Sequence, residues 1–120
     1  MNTVKEYKKS YPPIYHKIVK LEELLFGKIP AIQKDYGVIK RQVLMDVHYL
    51  RSSVYLMMQD PKNFNNHGLM ADSYLESVKV NCRILSGLSC LSRQFQTEII
   101  ELLADISKQL YGWINSKKQE

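Results

Sequence analysis

Ser92-Arg93-Gln94-Phe95-Gln96-Thr97-Glu98-Ile99-Ile100-Glu101-Leu102-Leu103-Ala104-Asp105-Ile106-Ser107-Lys108-Gln109-Leu110-Tyr111-Gly112-Trp113-Ile114 is the stretch whose reading decides the fold. Phe95, Ile99, Leu102, Ile106, Leu110 and Trp113 recur at steps of four and three, which puts one apolar stripe along a helix. Ser92 stands where an N-cap belongs, its hydroxyl able to accept from a free amide of the first turn. A helix with one apolar stripe must bury it, so the question becomes what the rest of the chain offers.

The same period recurs three times upstream. Ile14, Ile18, Leu21 and Leu25 mark a first helix over about 14–26, with Lys17, Lys20 and Glu23 outward and Gly27 ending it before the Lys28-Ile29-Pro30 turn. Tyr36, Ile39, Val43, Val47, Leu50, Val54 and Met57 mark a second over about 33–59. Asp60-Pro61-Lys62-Asn63-Phe64-Asn65-Asn66-His67-Gly68 reads as a strong breaker. Ala71, Leu75, Val78, Cys82 and Leu85 mark a third helix over about 69–88, and a kinked link near Gly87 to Leu91 leads to the fourth, about 93–117. Residues 1–13 are polar, Tyr-rich and basic, end in Pro12-Pro13, and read as a flexible arm. Four helices with short links predict an all-α, antiparallel up-down-up-down four-helix bundle over 14–120.

Bulk properties narrow the possibilities. At 120 residues the chain holds one domain and one core. No window approaches the roughly 20 apolar residues of a membrane span, and the N-terminus lacks a signal-peptide core, so the expected address is cytoplasmic, without membrane contact. Cys82 and Cys90 fall eight residues apart on one helix, about 12 Å along its axis, too far for a disulfide within the helix. Residues 1–59 hold ten Lys or Arg against five Asp or Glu, while residues 60–120 hold seven of each. The net charge of +5 therefore resides in the arm and first two helices, a field that attracts polyanions.

Catalytic constellations are missing from the pattern. The residues three before His16, His48 and His67 are Pro13, Met45 and Phe64, so no Glu-x-x-His metal motif exists, and neither cysteine has a Cys-x-x-Cys partner. The five glycines stand singly, which rules out a phosphate-cradling loop. His48, in mid-helix, has Asp46 about 200° away round the axis and no local carboxylate to orient it. The expectation is a non-enzyme without cofactor or metal.

Basic side chains lie at helical spacing instead: Lys17 and Lys20; Lys40, Arg41 and Arg51 beside the second stripe; Lys79 and Arg83 four apart on the third helix, with Glu76 one turn earlier. Such a fork suits phosphates or acidic groups on a partner. Tyr55, Leu91, Ile100 and Leu103 fall off the main stripes, which a wide core or an oligomer interface explains equally well.

The ending from Leu91-Ser92-Arg93-Gln94-Phe95 through Leu110-Tyr111-Gly112-Trp113-Ile114 resembles the closing helix of Avd-like four-helix bundle proteins. These are the accessory variability determinants of diversity-generating retroelements. Relatives include the "four helix bundle proteins" encoded in intervening sequences of large-subunit ribosomal RNA genes. Leu75-Glu76-Ser77-Val78-Lys79 and Arg83 are similar to that family's Leu-Glu-x-Leu-Arg segment and following Arg, and Lys28-Ile29-Pro30 to its Lys-Phe-Pro turn. The chain departs from the pattern in a longer, Asn-rich second connection and in Ser77, at a position often basic there. The resemblance implies a barrel-shaped homopentamer that binds RNA or DNA through phosphates without sequence preference and associates with a reverse transcriptase. It carries over only Lys79 and Arg83 as contacts; Lys17, Lys20, Lys40, Arg41 and Arg51 rest on charge and spacing. The alternative is a protein-interaction scaffold, as for the ribosomal relatives, that does not bind nucleic acid.

Overall fold

Proline opens the first helix. Pro12 is extended, and Pro13 takes the first helical position, where its missing amide leaves nothing unsatisfied. The computed structural model describes residues 11–32 and 35–118. Over them the chain forms α1 (Pro13–Lys28), α2 (Gly37–Gln59), α3 (Phe64–Gly87) and α4 (Arg93–Lys118), with single 3-10 turns at Ile29–Ala31 and Pro61–Asn63 and no strand. The fold is an all-α four-helix bundle.

Several boundaries differ from the periodic reading, each for a local reason. Gly27 does not stop α1, which runs on to Lys28 and passes into the 3-10 turn that buries Ile29. The helix expected from residue 33 begins at Gly37, because Tyr36 before it is left-handed, φ 69°. Tyr36 is therefore a cap, 41% exposed, rather than the first rung of the core stripe. The breaker after α2 is shorter than its composition suggests. The Asp60 carboxylate accepts from Asn63 Nδ2 at 2.9 Å and pairs with His67 Nε2 at 3.0 Å, which ties the turn to the following helix. Phe64 anchors that turn, buried with its ring edge-on to Trp113 at 5.2 Å, so α3 starts five residues before Leu69. The arm expected over 1–13 lies outside the described residues up to residue 10; Tyr11 stacks on Tyr15, and Pro13 already belongs to α1.

Ser92 caps α4 as its type predicts, accepting from the Phe95 amide at 3.2 Å. The buried stripe of α4 is Phe95, Ile99, Leu103, Ile106 and Leu110. Leu103 takes the place expected of Leu102, which is half-buried against α1.

Among the described residues each helix backbone runs close to two neighbours, and the backbones do not meet across the diagonals α1–α3 or α2–α4. Where two pairs fix the direction they run in opposite chain order: Tyr15 with Tyr55 and Glu22 with His48; Asp46 with Ser77 and Tyr49 with Tyr74; Phe64 with Trp113 and Asp72 with Tyr111; Lys17 meets Asp105 between α1 and α4. α2 and α3 run together over the greatest length. Gly68 admits Ile114 and Met57 to within 3.3 and 3.5 Å of where a Cβ would stand. The larger leucines and isoleucines of α4 hold it farther off, and grooves open along both its flanks.

Candidate functional site

The basic residues singled out by spacing do not converge on one surface. Lys17 and Lys20 line the α1–α4 groove together with Glu98, Glu101 and Asp105. Lys17 Nζ meets Asp105 Oδ2 at 2.5 Å, and this bond, with a second from Gln109, holds the Asp105 carboxyl below the ordinary carboxylate range. That groove is of mixed sign and is a poor seat for phosphate. Lys40 reaches back to the Ile32 carbonyl at 2.8 Å and so fastens the α1–α2 connection.

Arg51 is a cross-helix tie. Its Nε donates to Glu22 on α1, which keeps the guanidinium charged more firmly than usual, and Tyr15 adds a further bond. His48 Nδ1 lies 3.0 Å from the same carboxylate and 3.2 Å from Arg51 Nη2. A protonated Nδ1 donates to Glu22, and an unprotonated one accepts from Arg51. Sequence reasoning sought an orienting carboxylate within α2; the bundle supplies it from α1. The cluster ties α2 to α1.

Lys79 and Arg83 do share a side, the flank of α3 facing α4. Lys79 is half-buried, bonded to Glu76 Oε1 at 3.0 Å and 5.9 Å from the centre of the Tyr111 ring. Its ammonium lowers the Glu76 carboxyl. The Tyr111 hydroxyl lies 2.8 Å from Asp72 Oδ1 and 3.1 Å from Glu76 Oε1, its single proton serving both, and these carboxylates raise its pKa. Arg83 is exposed, as are Arg41 and Lys20, and none of the three has a carboxylate within ion-pair distance among the described residues.

α3 sorts its surface sharply. Its four charged side chains, Asp72, Glu76, Lys79 and Arg83, fall on one stripe. The neighbouring flank carries exposed Leu69 (68%), Met70, Val80 and Ile84 with no charge between them, and Val38, Met45, Tyr49 and Leu56 continue an apolar face on α2. Ile100 stands out from α4 at 64% exposure.

The feature that spacing missed is Asp46. It is 3% exposed at the α2–α3 contact. Its carboxylate accepts from Ser77 Oγ at 2.5 Å and Gln42 Nε2 at 2.9 Å, with Asn81 Nδ2 at 3.5 Å. The signal was present: Asp46 falls three after Val43 and four before Leu50, on the inward side, and Ser77 and Asn81 sit four apart on α3. Among the described residues no group of three or more His, Cys, Asp or Glu side chains is placed to hold a metal, and no helix is long and apolar enough to cross a membrane. Compared with protein-family models, curated proteins and solved structures, the chain finds no match in any of the three.

Proposed function

We propose that this chain is a non-catalytic basic accessory protein of the Avd-like kind, acting in the cytoplasm as a homopentamer. In this reading it binds RNA or DNA through phosphates and associates with the reverse transcriptase of a diversity-generating retroelement. The sequence resemblance names the role. The observation that carries it is that Arg41 and Arg83 stand exposed, without carboxylate partners among the described residues, free to meet an external anion. One protomer scatters these charges over different sides, so a cyclic assembly supplies what a single bundle lacks, repeating each cation around an axis along one polyanion. The charge-free flank of α3 and the adjoining face of α2 offer the apolar surface such an assembly needs.

Binding of this kind is electrostatic and indifferent to base sequence, so log affinity falls with log salt by about 0.9 per phosphate neutralised on duplex DNA. Fluorescence anisotropy with labelled RNA and DNA of several sequences, read across salt, tests it. Arg41→Ala and Arg83→Ala should each flatten the slope for every sequence alike. A salt-independent affinity, or a strong preference for one sequence, overturns the mechanism.

One observation favours the second reading, the scaffold that leaves nucleic acid alone. Lys17, Arg51 and Lys79 are already neutralised by Asp105, Glu22 and Glu76. Light scattering that finds an oligomer, with no binding of either nucleic acid at low salt, selects the scaffold.

A further inference from the structure

The groove between α3 and α4 differs from the other surface depressions in its chemistry. It is an open groove of about 400 Å³, and no carboxylate lines it; its charged side chains are Lys79 and Arg83. The α1–α4 groove, by contrast, mixes two lysines with three acids. The floor of the α3–α4 groove is apolar, made by Cys82, Leu91, Ile99 and Leu103. Ser107 lines the same groove, and its hydroxyl oxygen is buried with no hydrogen-bond partner among the described residues. A helical serine ordinarily satisfies itself on the carbonyl one turn back, so an idle buried hydroxyl here asks for a partner from outside the chain.

The arrangement has direction. Lys79 lies against Tyr111, one turn beyond Ser107, so this cation and the idle hydroxyl mark one end, and Arg83 stands one turn along α3 toward the other. Leu91 lies at the other end, where α4 begins, and Ile99 between. From Gln96 to Ser107 the α4 wall is about 17 Å long at 1.5 Å per residue. That length and the apolar floor suit an extended chain lying along the groove. An extended chain advances about 1.27 Å per bond, since three trans backbone bonds span 3.8 Å, so the slot accepts about a dozen carbons.

We propose that the α3–α4 groove binds a linear anionic amphiphile, a carboxylate on an unbranched chain of about a dozen carbons. The carboxylate takes a charge-assisted bond from Arg83 and one from the Ser107 hydroxyl, Lys79, itself held by Glu76, adds its field, and the tail lies over Leu103, Ile99 and Cys82. The site does not depend on the nucleic-acid reading.

The test is isothermal titration calorimetry of the full chain with dodecanoate, kept below the concentration at which it forms micelles, beside dodecyltrimethylammonium and acetate. Dodecanoate should bind one per chain. Dodecyltrimethylammonium, with the same tail and opposite head, should bind weaker by on the order of tenfold or more, and acetate should give no heat in that range. Arg83→Glu should weaken dodecanoate by on the order of tenfold, while Lys62→Glu, the same charge change at a distant exposed turn, should leave it unaltered. Ala104→Trp, at an exposed position on the groove wall, should fill the slot and abolish binding. Circular dichroism confirms that each variant folds, and if Arg83→Glu does not, the head-group comparison and Ala104→Trp still decide. No dodecanoate binding, equal binding of both head groups, or binding that survives Ala104→Trp overturns the proposal.

Discussion

Replacing Ser77 by Ala removes the shortest bond to the buried Asp46 carboxylate. Asp46 is 3% exposed and has no ion-pair partner among the described residues; Ser77 at 2.5 Å and Gln42 at 2.9 Å do most of the work of replacing water, with Asn81 at the limit of bonding at 3.5 Å. A hydrogen bond to a charged group contributes about 1.5–3 kcal/mol, so the expected loss is about 2 kcal/mol. For 120 residues, an unfolding entropy near 2.1 cal/mol/K per residue gives about 0.25 kcal/mol/K, and the melting temperature should drop by about 8 °C. Urea unfolding followed by helical circular dichroism, at one protein concentration, measures it. The decisive form is a cycle with Asp46→Val. If the carboxylate is the reason Ser77 matters, then Ser77→Ala should cost almost nothing once Asp46 is Val, because the apolar pair leaves no buried charge. A coupling between the two sites below about 0.5 kcal/mol refutes the reasoning and reduces Ser77 to a small packing residue.

Four further outcomes follow from single observations. Gly27→Ala, where nothing lies within 4 Å of the added methyl, should raise stability by about 0.5–1 kcal/mol; Gly68→Ala, facing Ile114 at 3.3 Å, should gain less, and thermal melts compare them. Burial pushes the Cys82 thiol up to about 12, so iodoacetamide at pH 8 should modify the partly exposed Cys90 of the native chain and both cysteines only after denaturation, as mass spectrometry reads. The Asp60, Glu76 and Asp105 carboxyls are held low by His67, Lys79 and Lys17 respectively. A depressed carboxyl stabilises the fold fully above its ordinary pKa near 4, and that stability is lost as pH falls through the lower folded value, so urea midpoints should decline below about pH 4. Leu75→Ala, at a position with no exposure, should cost about 2–5 kcal/mol by the cavity it leaves.

What could be read from the chain was whatever the 3.6-residue period encodes. The stripes Ile14 to Leu25, Val43 to Met57 and Ala71 to Leu85 are buried as their spacing requires, and Ser92 caps α4. Tyr36 was misjudged because periodicity cannot see a positive φ, and Leu102 because two adjacent leucines leave the stripe's phase to be settled by packing. Phe64 to Gly68 looked like a breaker by composition, yet the side-chain bonds from Asn63 and His67 to Asp60 stabilise a helix start that propensity alone disfavours. At the surface, the fork of Lys79 and Arg83 was legible, but not that Glu76 and Tyr111 engage one of its tines. Glu22 was invisible as a partner of His48 and Arg51 because the contact spans 26 and 29 residues of sequence.

Tyr36 and Ser89 are the two non-glycine residues with positive φ among those described, at 69° and 59°, and both line the cleft where the α1–α2 and α3–α4 connections meet. A left-handed residue bearing a side chain sits about 1 kcal/mol or more above glycine in the same pose. Gly37 stands immediately after Tyr36, one position too late to relieve it. The molecule therefore carries unspent room for improvement at one end. An engineer seeking a hardier scaffold can place glycine at 36 and 89, both exposed, and leave the core, the groove and the charged stripe untouched.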